Sequence, residues 1–187
     1  MWMKEHAEGI VFENAVTQND VIKIAELENL KQLDIVISSE DIDLSPLSNL
    51  TYLQELAITY VGDTTDLAFL KELDYLTDIT IMGCCELDDL SLFENMIYLQ
   101  NLFVEYVEDV DLNFLANCKS LNKIHIAGGG IRNVEGISDL THLKSIYLFD
   151  NYRYSQDEER IVLDLHSFSN MTELEWMFLA CIIYLIY

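Results

Sequence analysis

Residues 27 to 35 read Leu27-Glu28-Asn29-Leu30-Lys31-Gln32-Leu33-Asp34-Ile35, and 23 positions later the chain reads Leu50-Thr51-Tyr52-Leu53-Gln54-Glu55-Leu56-Ala57-Ile58. Apolar residues hold the same four places in both stretches, while the residues between them change. The template returns at Leu73, Leu76, Ile79 and Ile81, and again at Met96, Leu99, Leu102 and Val104, each a further 23 residues on. Two steps of 22 then reach Cys118, Leu121, Ile124 and Ile126, and Leu140, Leu143, Ile146 and Leu148. A step of 31 leads to Met171, Leu174, Met177 and Leu179, so about nine residues are inserted between Phe149 and Arg160. Self-similarity at a fixed period of this length marks a chain of stacked coils, each unable to bury its own apolar side alone.

Within each copy the last two template residues are separated by one variable residue, as in Leu33-Asp34-Ile35 and Leu56-Ala57-Ile58. Alternation of this kind is a strand with one face buried, and strands repeated once per coil must run parallel. A second apolar set follows each strand, for example Ile131, Val134 and Ile137, at a spacing that suits a short helix or helical turn on the opposite side. Counting back 23 from Leu33 and Ile35 gives Ile10 and Phe12, so residues 1–26 read as a degenerate first coil or amino-terminal cap. Thr17-Gln18-Asn19-Asp20 offers a hydroxyl cap with an acid three residues on, which predicts a helix over about residues 18–28. The repeats proper fill 27–187, with an inserted loop at about 150–160. One proline and seven glycines leave no linker-like stretch, so residues 1–187 are expected to form a single domain.

A hydrophobic content of 51% is enough to fill a continuous core. The formal charge is −23, from 33 acidic and 10 basic residues. Nucleic acid and anionic membrane surfaces would be repelled, whereas a basic protein partner is compatible. The start, Met1-Trp2-Met3-Lys4-Glu5-His6, has no apolar core of the length a secretory signal needs. The expectation is a cytoplasmic protein, or a secreted or cell-surface one if a signal has been trimmed away. The stretch Trp176 to Tyr187 is apolar but only about half the length of a membrane-spanning helix, so no membrane insertion is expected. Cys84, Cys85, Cys118 and Cys181 have no paired metal-site spacing and two of them are adjacent, which predicts free and mostly buried thiols.

Two stretches carry a resemblance: Ile42-Asp43-Leu44-Ser45-Pro46-Leu47-Ser48-Asn49-Leu50-Thr51-Tyr52-Leu53, and Ile131-Arg132-Asn133-Val134-Glu135-Gly136-Ile137-Ser138-Asp139-Leu140-Thr141-His142-Leu143. The chain resembles the internalin-type bacterial leucine-rich-repeat proteins, and the resemblance covers nearly its whole length. It implies an α/β fold, a leucine-rich-repeat solenoid with a curved parallel sheet on the concave side and short helices or turns on the convex side. It also implies a partner protein bound on that concave sheet, with no identity for the partner. The chain departs from the family pattern three positions after the last strand leucine, where an asparagine usually bonds the backbone of neighbouring coils. Here the position reads Ser38, Val61, Cys84, Val107, Gly129, Asn151 and Ile182; only Asn151 keeps the amide, Ser38 and Cys84 are weak substitutes, and a valine side chain cannot hydrogen-bond.

If the register holds, one ladder of concave side chains runs Val11, Asp34, Ala57, Thr80, Phe103, His125, Tyr147 and Phe178. Its first half is small and its second half aromatic. Flanking ladders add Glu105, Lys123, Phe149 and Trp176 beside the aromatics, and Glu13, Gln32, Glu55, Thr59 and Asp78 toward the amino end. Aromatics side by side on a rigid sheet bury much area for few frozen rotamers, which makes Phe103, Glu105, Lys123, His125, Tyr147, Phe149, Trp176 and Phe178 the protein-binding candidates. Trp176 and Phe178 have a competing reading, as core packed under the inserted loop or the apolar tail. Tyr152, Arg153 and Tyr154 of the inserted loop are a second set of protein-binding candidates.

No catalytic, cofactor-binding or metal-binding residue is expected. Gly128-Gly129-Gly130 lacks the lysine and hydroxyl residue of a phosphate loop, the four histidines fall in different coils, and the acidic runs lack the ligand order of a calcium loop. Two further readings stay open. One is an acidic intracellular immunity-type protein that neutralises a basic toxin domain; most of its acids would then act from the turns, because only Glu13, Asp34, Glu55, Asp78 and Glu105 fall on the concave positions. The other is a structural or self-associating module, a homodimer joined through the apolar carboxyl-terminal edge.

Overall fold

The computed structural model describes residues 8–39, 41–62, 66–84, 90–108, 110–129, 131–150 and 165–180. Eight strands form one parallel sheet in chain order: β1 (Gly9–Ala15), β2 (Gln32–Ile37), β3 (Glu55–Gly62), β4 (Asp78–Cys84), β5 (Asn101–Glu108), β6 (Lys123–Gly129), β7 (Ser145–Asp150) and β8 (Trp176–Ala180). Each return path carries a short helical element. The first is an α-helix, α1 (Gln18–Ile24), and the others are single 3-10 turns such as Ser45–Asn49, Leu112–Leu115 and Glu135–Ile137.

The template residues fill the space between sheet and turns. Leu30, Leu33, Ile35, Leu50, Leu53 and Ile58 are buried, as are their counterparts through Leu148, and they form one continuous cluster. Cys118, which takes a leucine position, is buried with them; loss of hydration pushes its thiol up to about 11, so at neutral pH it is an apolar filler rather than a nucleophile. Met177 departs from expectation. Its register is the predicted one, opposite Ile146 of β7, but in β8, the last described strand, it is 38% exposed.

The helix of the first coil is shorter than the expected 18–28. Thr17 and Asp20 form the capping box, with the Thr17 hydroxyl accepting from the Asp20 amide and the Asp20 carboxylate accepting from the Thr17 amide. After Ile24 the bonds tighten to three-residue spacing, Leu27 N–H to the Ile24 carbonyl and Leu30 N–H to the Leu27 carbonyl. This turn brings Leu30 into the core at the start of the next strand.

A different set of polar side chains caps the turns within the coils. Asp43, Asp66, Asp111 and Asn133 each stand just before a 3-10 turn and accept, through Oδ1, the amide of the residue two positions on, at 2.8 to 2.9 Å. In the first pair of coils the Gln18 side chain spans the gap, donating to the Asp43 carbonyl at 3.0 Å and accepting its amide at 2.7 Å. Part of the acidity of the chain is therefore turn capping. The hydrogen bonds from the Ser45 side chain and amide hold the Asp43 carboxyl below its ordinary range.

The pairing register shifts in three of the strand pairs, between Val11 and Ala15 in β1, between Thr59 and Gly62 in β3, and between Glu105 and Val107 in β5. Glu105 pairs with Ala127, but Val107 pairs with Gly128, leaving Tyr106 as an extra residue in β5. Its φ of 62° is left-handed, a conformation that Gly83, 23 residues earlier, adopts at 76° without a Cβ to obstruct it.

Candidate functional site

The pairing register carries the predicted ladder from end to end: Val11 opposite Asp34, then Ala57, Thr80, Phe103, His125, Tyr147 and Phe178. In a parallel sheet, residues in register stand about 4.8 Å apart on one face, which is close to the spacing of stacked rings. The aromatic half uses this. Ring centroids lie 3.9 Å apart for Phe103 and His125, 4.1 Å for His125 and Tyr147, and 4.7 Å for Tyr147 and Phe178, with planes within 16° of parallel. Trp176 extends the slab, 6.1 Å from Phe178 and 6.0 Å from Tyr147, and Phe149 tilts onto the same two rings.

Six of the eight concave candidates are thus one surface across β5 to β8. Phe103, His125, Tyr147 and Phe149 are half-buried by one another, while Trp176 is 49% and Phe178 38% exposed. Glu105 joins the slab through His125, its Oε1 3.9 Å from the His125 Nε2, and Lys123 is exposed at the start of β6. Tyr152, Arg153 and Tyr154 lie outside the described residues, as do the inserted loop and the carboxyl-terminal tail. Among the described residues no group of His, Cys, Asp and Glu is arranged to hold a metal, and no helix is long and apolar enough to cross a membrane.

His125 is the titrating member of the slab. Burial between two rings holds its pKa below the ordinary 6.5, and nearby Glu105, which pulls the other way, does not offset this. The folded state therefore binds fewer protons than the unfolded chain. The stability due to the neutral stack is complete above about pH 6.5 and is lost as pH falls through the histidine range. Urea midpoints between about pH 7.5 and 5.5 should fall more steeply for the wild type than for His125→Phe. Parallel profiles would show that the stack does not disfavour the charged ring.

A second ring ladder was missed by a reading confined to core positions. Tyr52, Tyr75 and Tyr98, all exposed, stack at 6.4 and 6.0 Å with planes 10° and 13° apart, on the turns that precede β3, β4 and β5. The signal was present in the sequence, since the three are 23 residues apart.

No known sequence family matches the chain, and no curated protein matches it in sequence. Solved structures do. An internalin (inlF) of Listeria monocytogenes is similar over 88% of this chain and 52% of its own, with a TM-score of 0.61 and 21% identity. A leucine-rich-repeat protein of Leptospira interrogans is similar over 91% of this chain and 48% of its own, with a TM-score of 0.65 and 17% identity. The Arabidopsis receptor kinase HAESA, solved with the peptide hormone IDA and the co-receptor SERK1, is similar over 91% of this chain and 28% of its own, with a TM-score of 0.71 and 20% identity. The chain spans about half the length of that internalin. At these identities the likeness establishes the fold, a leucine-rich-repeat solenoid.

Proposed function

We propose that the protein is a binding module that holds a partner polypeptide against its concave sheet, with the ring slab of β5 to β8 as the contact. The observation that carries this reading is the slab itself: six rings preorganised on rigid strands, with Trp176 and Phe178 open to solvent. Stacked in place, these side chains have already lost the rotamer freedom that binding would otherwise remove, and aromatic clusters of this kind dominate protein interfaces. HAESA, of the same fold, is solved with a peptide bound and a co-receptor, which supports a polypeptide as the occupant.

The test is an affinity capture from lysate and culture fluid of the source organism, at low and high salt, with the wild type and with Phe103→Ala/Tyr147→Ala. The captured partner is identified by mass spectrometry, and its affinity for both forms is then measured. The double variant should stay folded by circular dichroism and bind about a hundredfold more weakly. An undiminished complex in the double variant would refute the slab as the contact. If salt then dissociated it, the acidic turns would be the binding surface, as in a charge-driven neutraliser.

A further inference from the structure

We propose that the bound segment runs across the strands with a Lys or Arg side chain over β2 to β4 and an aromatic anchor on the slab over β5 to β8. This rests on the concave face being the contact surface and adds the chemistry of its occupant. The face is divided. β2, β3 and β4 contain no Lys or Arg, and their concave side chains include Asp34, Glu55 and Asp78. All six slab aromatics belong to β5 to β8.

The acidic half also has room. Along the ladder Asp34 is followed by Ala57 and Thr80 before the first ring at Phe103. These short side chains leave an open hollow of about 690 Å³ lined by Asp34, Glu55 and Asp78. Asp78 is held by the Asn101 side-chain amide, which donates to its Oδ1. Glu55 and Asp78 are in register on adjacent strands about 4.8 Å apart, with Asp34 diagonal to Glu55 on β2; carboxylates so placed repel one another, and a cation seated among them relieves that repulsion. The low-dielectric sheet beneath them strengthens the attraction, and the excess negative charge of the whole chain steers a cationic segment to the same place.

Geometry sets the spacing. From Ala57 in β3 to His125 in β6, the second ring of the slab, is three strand spacings, about 14 Å, which an extended chain covers in about four or five residues. A helical segment would need about nine.

The experiment is selection of a phage-displayed random dodecapeptide library on the purified protein, followed by anisotropy measurements with the enriched peptide. The expected consensus is a Lys or Arg four or five residues from a Trp, Phe or Tyr. Its affinity should fall at least tenfold with Asp34→Asn/Glu55→Gln, and with added salt. Peptides that keep the aromatic, lack a basic residue and depend only on Phe103 and Tyr147 would overturn the cationic end and leave the concave reading intact. A basic residue selected at a separation of about nine would overturn the extended segment. Peptides insensitive to both sets of substitutions, or no enrichment at all, would count against both readings.

Discussion

Gly128→Ala is expected to lower the free energy of unfolding by about 3 kcal/mol, read as a fall in the urea midpoint with little change in slope. The reason is the bulge beside it. Tyr106, the extra residue of β5, turns left-handed and carries the Val107 backbone toward β6. A Cβ at position 128 would lie 1.9 Å from the Val107 carbonyl oxygen and 2.6 Å from its nitrogen. Both are main-chain atoms and cannot rotate aside, so β5 and β6 would have to part in the middle of the sheet. Gly9→Ala is the control. There the nearest atom, at 2.9 Å, is Oε1 of the Gln32 side chain, whose end can swing toward solvent, and the change should stay within about 0.5 kcal/mol. Equal losses at the two glycines would show that the close approach at Val107 is not what selects glycine at 128.

The concave ladder and the bulge at Tyr106 differ in how far the sequence discloses them. The concave ladder was legible because a shift of 22 or 23 that aligns buried leucines must also align the residues between them, and the pairing of Phe103, His125 and Tyr147 follows. The bulge was not legible. Left-handed backbone announces itself when a glycine holds the position, as Gly83 does, but the counterpart one coil later is a tyrosine, and only the strand pairing exposes it. The helix end at Ile24 was misjudged because apolar spacing continues through Leu27 and Leu30 while the bonds have already tightened into turns. The Asx ladder of Asp43, Asp66, Asp111 and Asn133 was present as a period but lies outside the apolar template that marks the coils. Of the candidate site, the residue identities and their order could be read; the parallel stacking, which makes separate aromatics one slab, required the strand register.

Phe93→Ala is expected to cost about 4 kcal/mol, more than the close approach at Gly128. Phe93 is fully buried and occupies the place held by Leu47 and Leu70 in earlier coils and by Leu115 in the next. Its ring packs on Phe114 at 5.9 Å, tilted by 45°, and its carbonyl accepts the Cys118 thiol at 3.2 Å. The ring thus ties its own coil to the next, and in a stack where each coil touches only its neighbours a gap there cannot be closed from elsewhere. Phe93→Leu restores the side chain found on either side and should cost only about 1 kcal/mol, since packing partly adjusts. Met171→Ala, in the last described coil, removes a buried side chain with fewer coils depending on it and should cost about 2 kcal/mol. The position of the loss along the stack gives a second readout. Weakening the centre should uncouple β1 to β4 from β5 to β8 and broaden or split the unfolding transition, whereas weakening the end should shift it whole. If Phe93→Ala cost no more than Phe93→Leu, or unfolded as sharply as Met171→Ala, the ring would be ordinary filling rather than the link between the two halves.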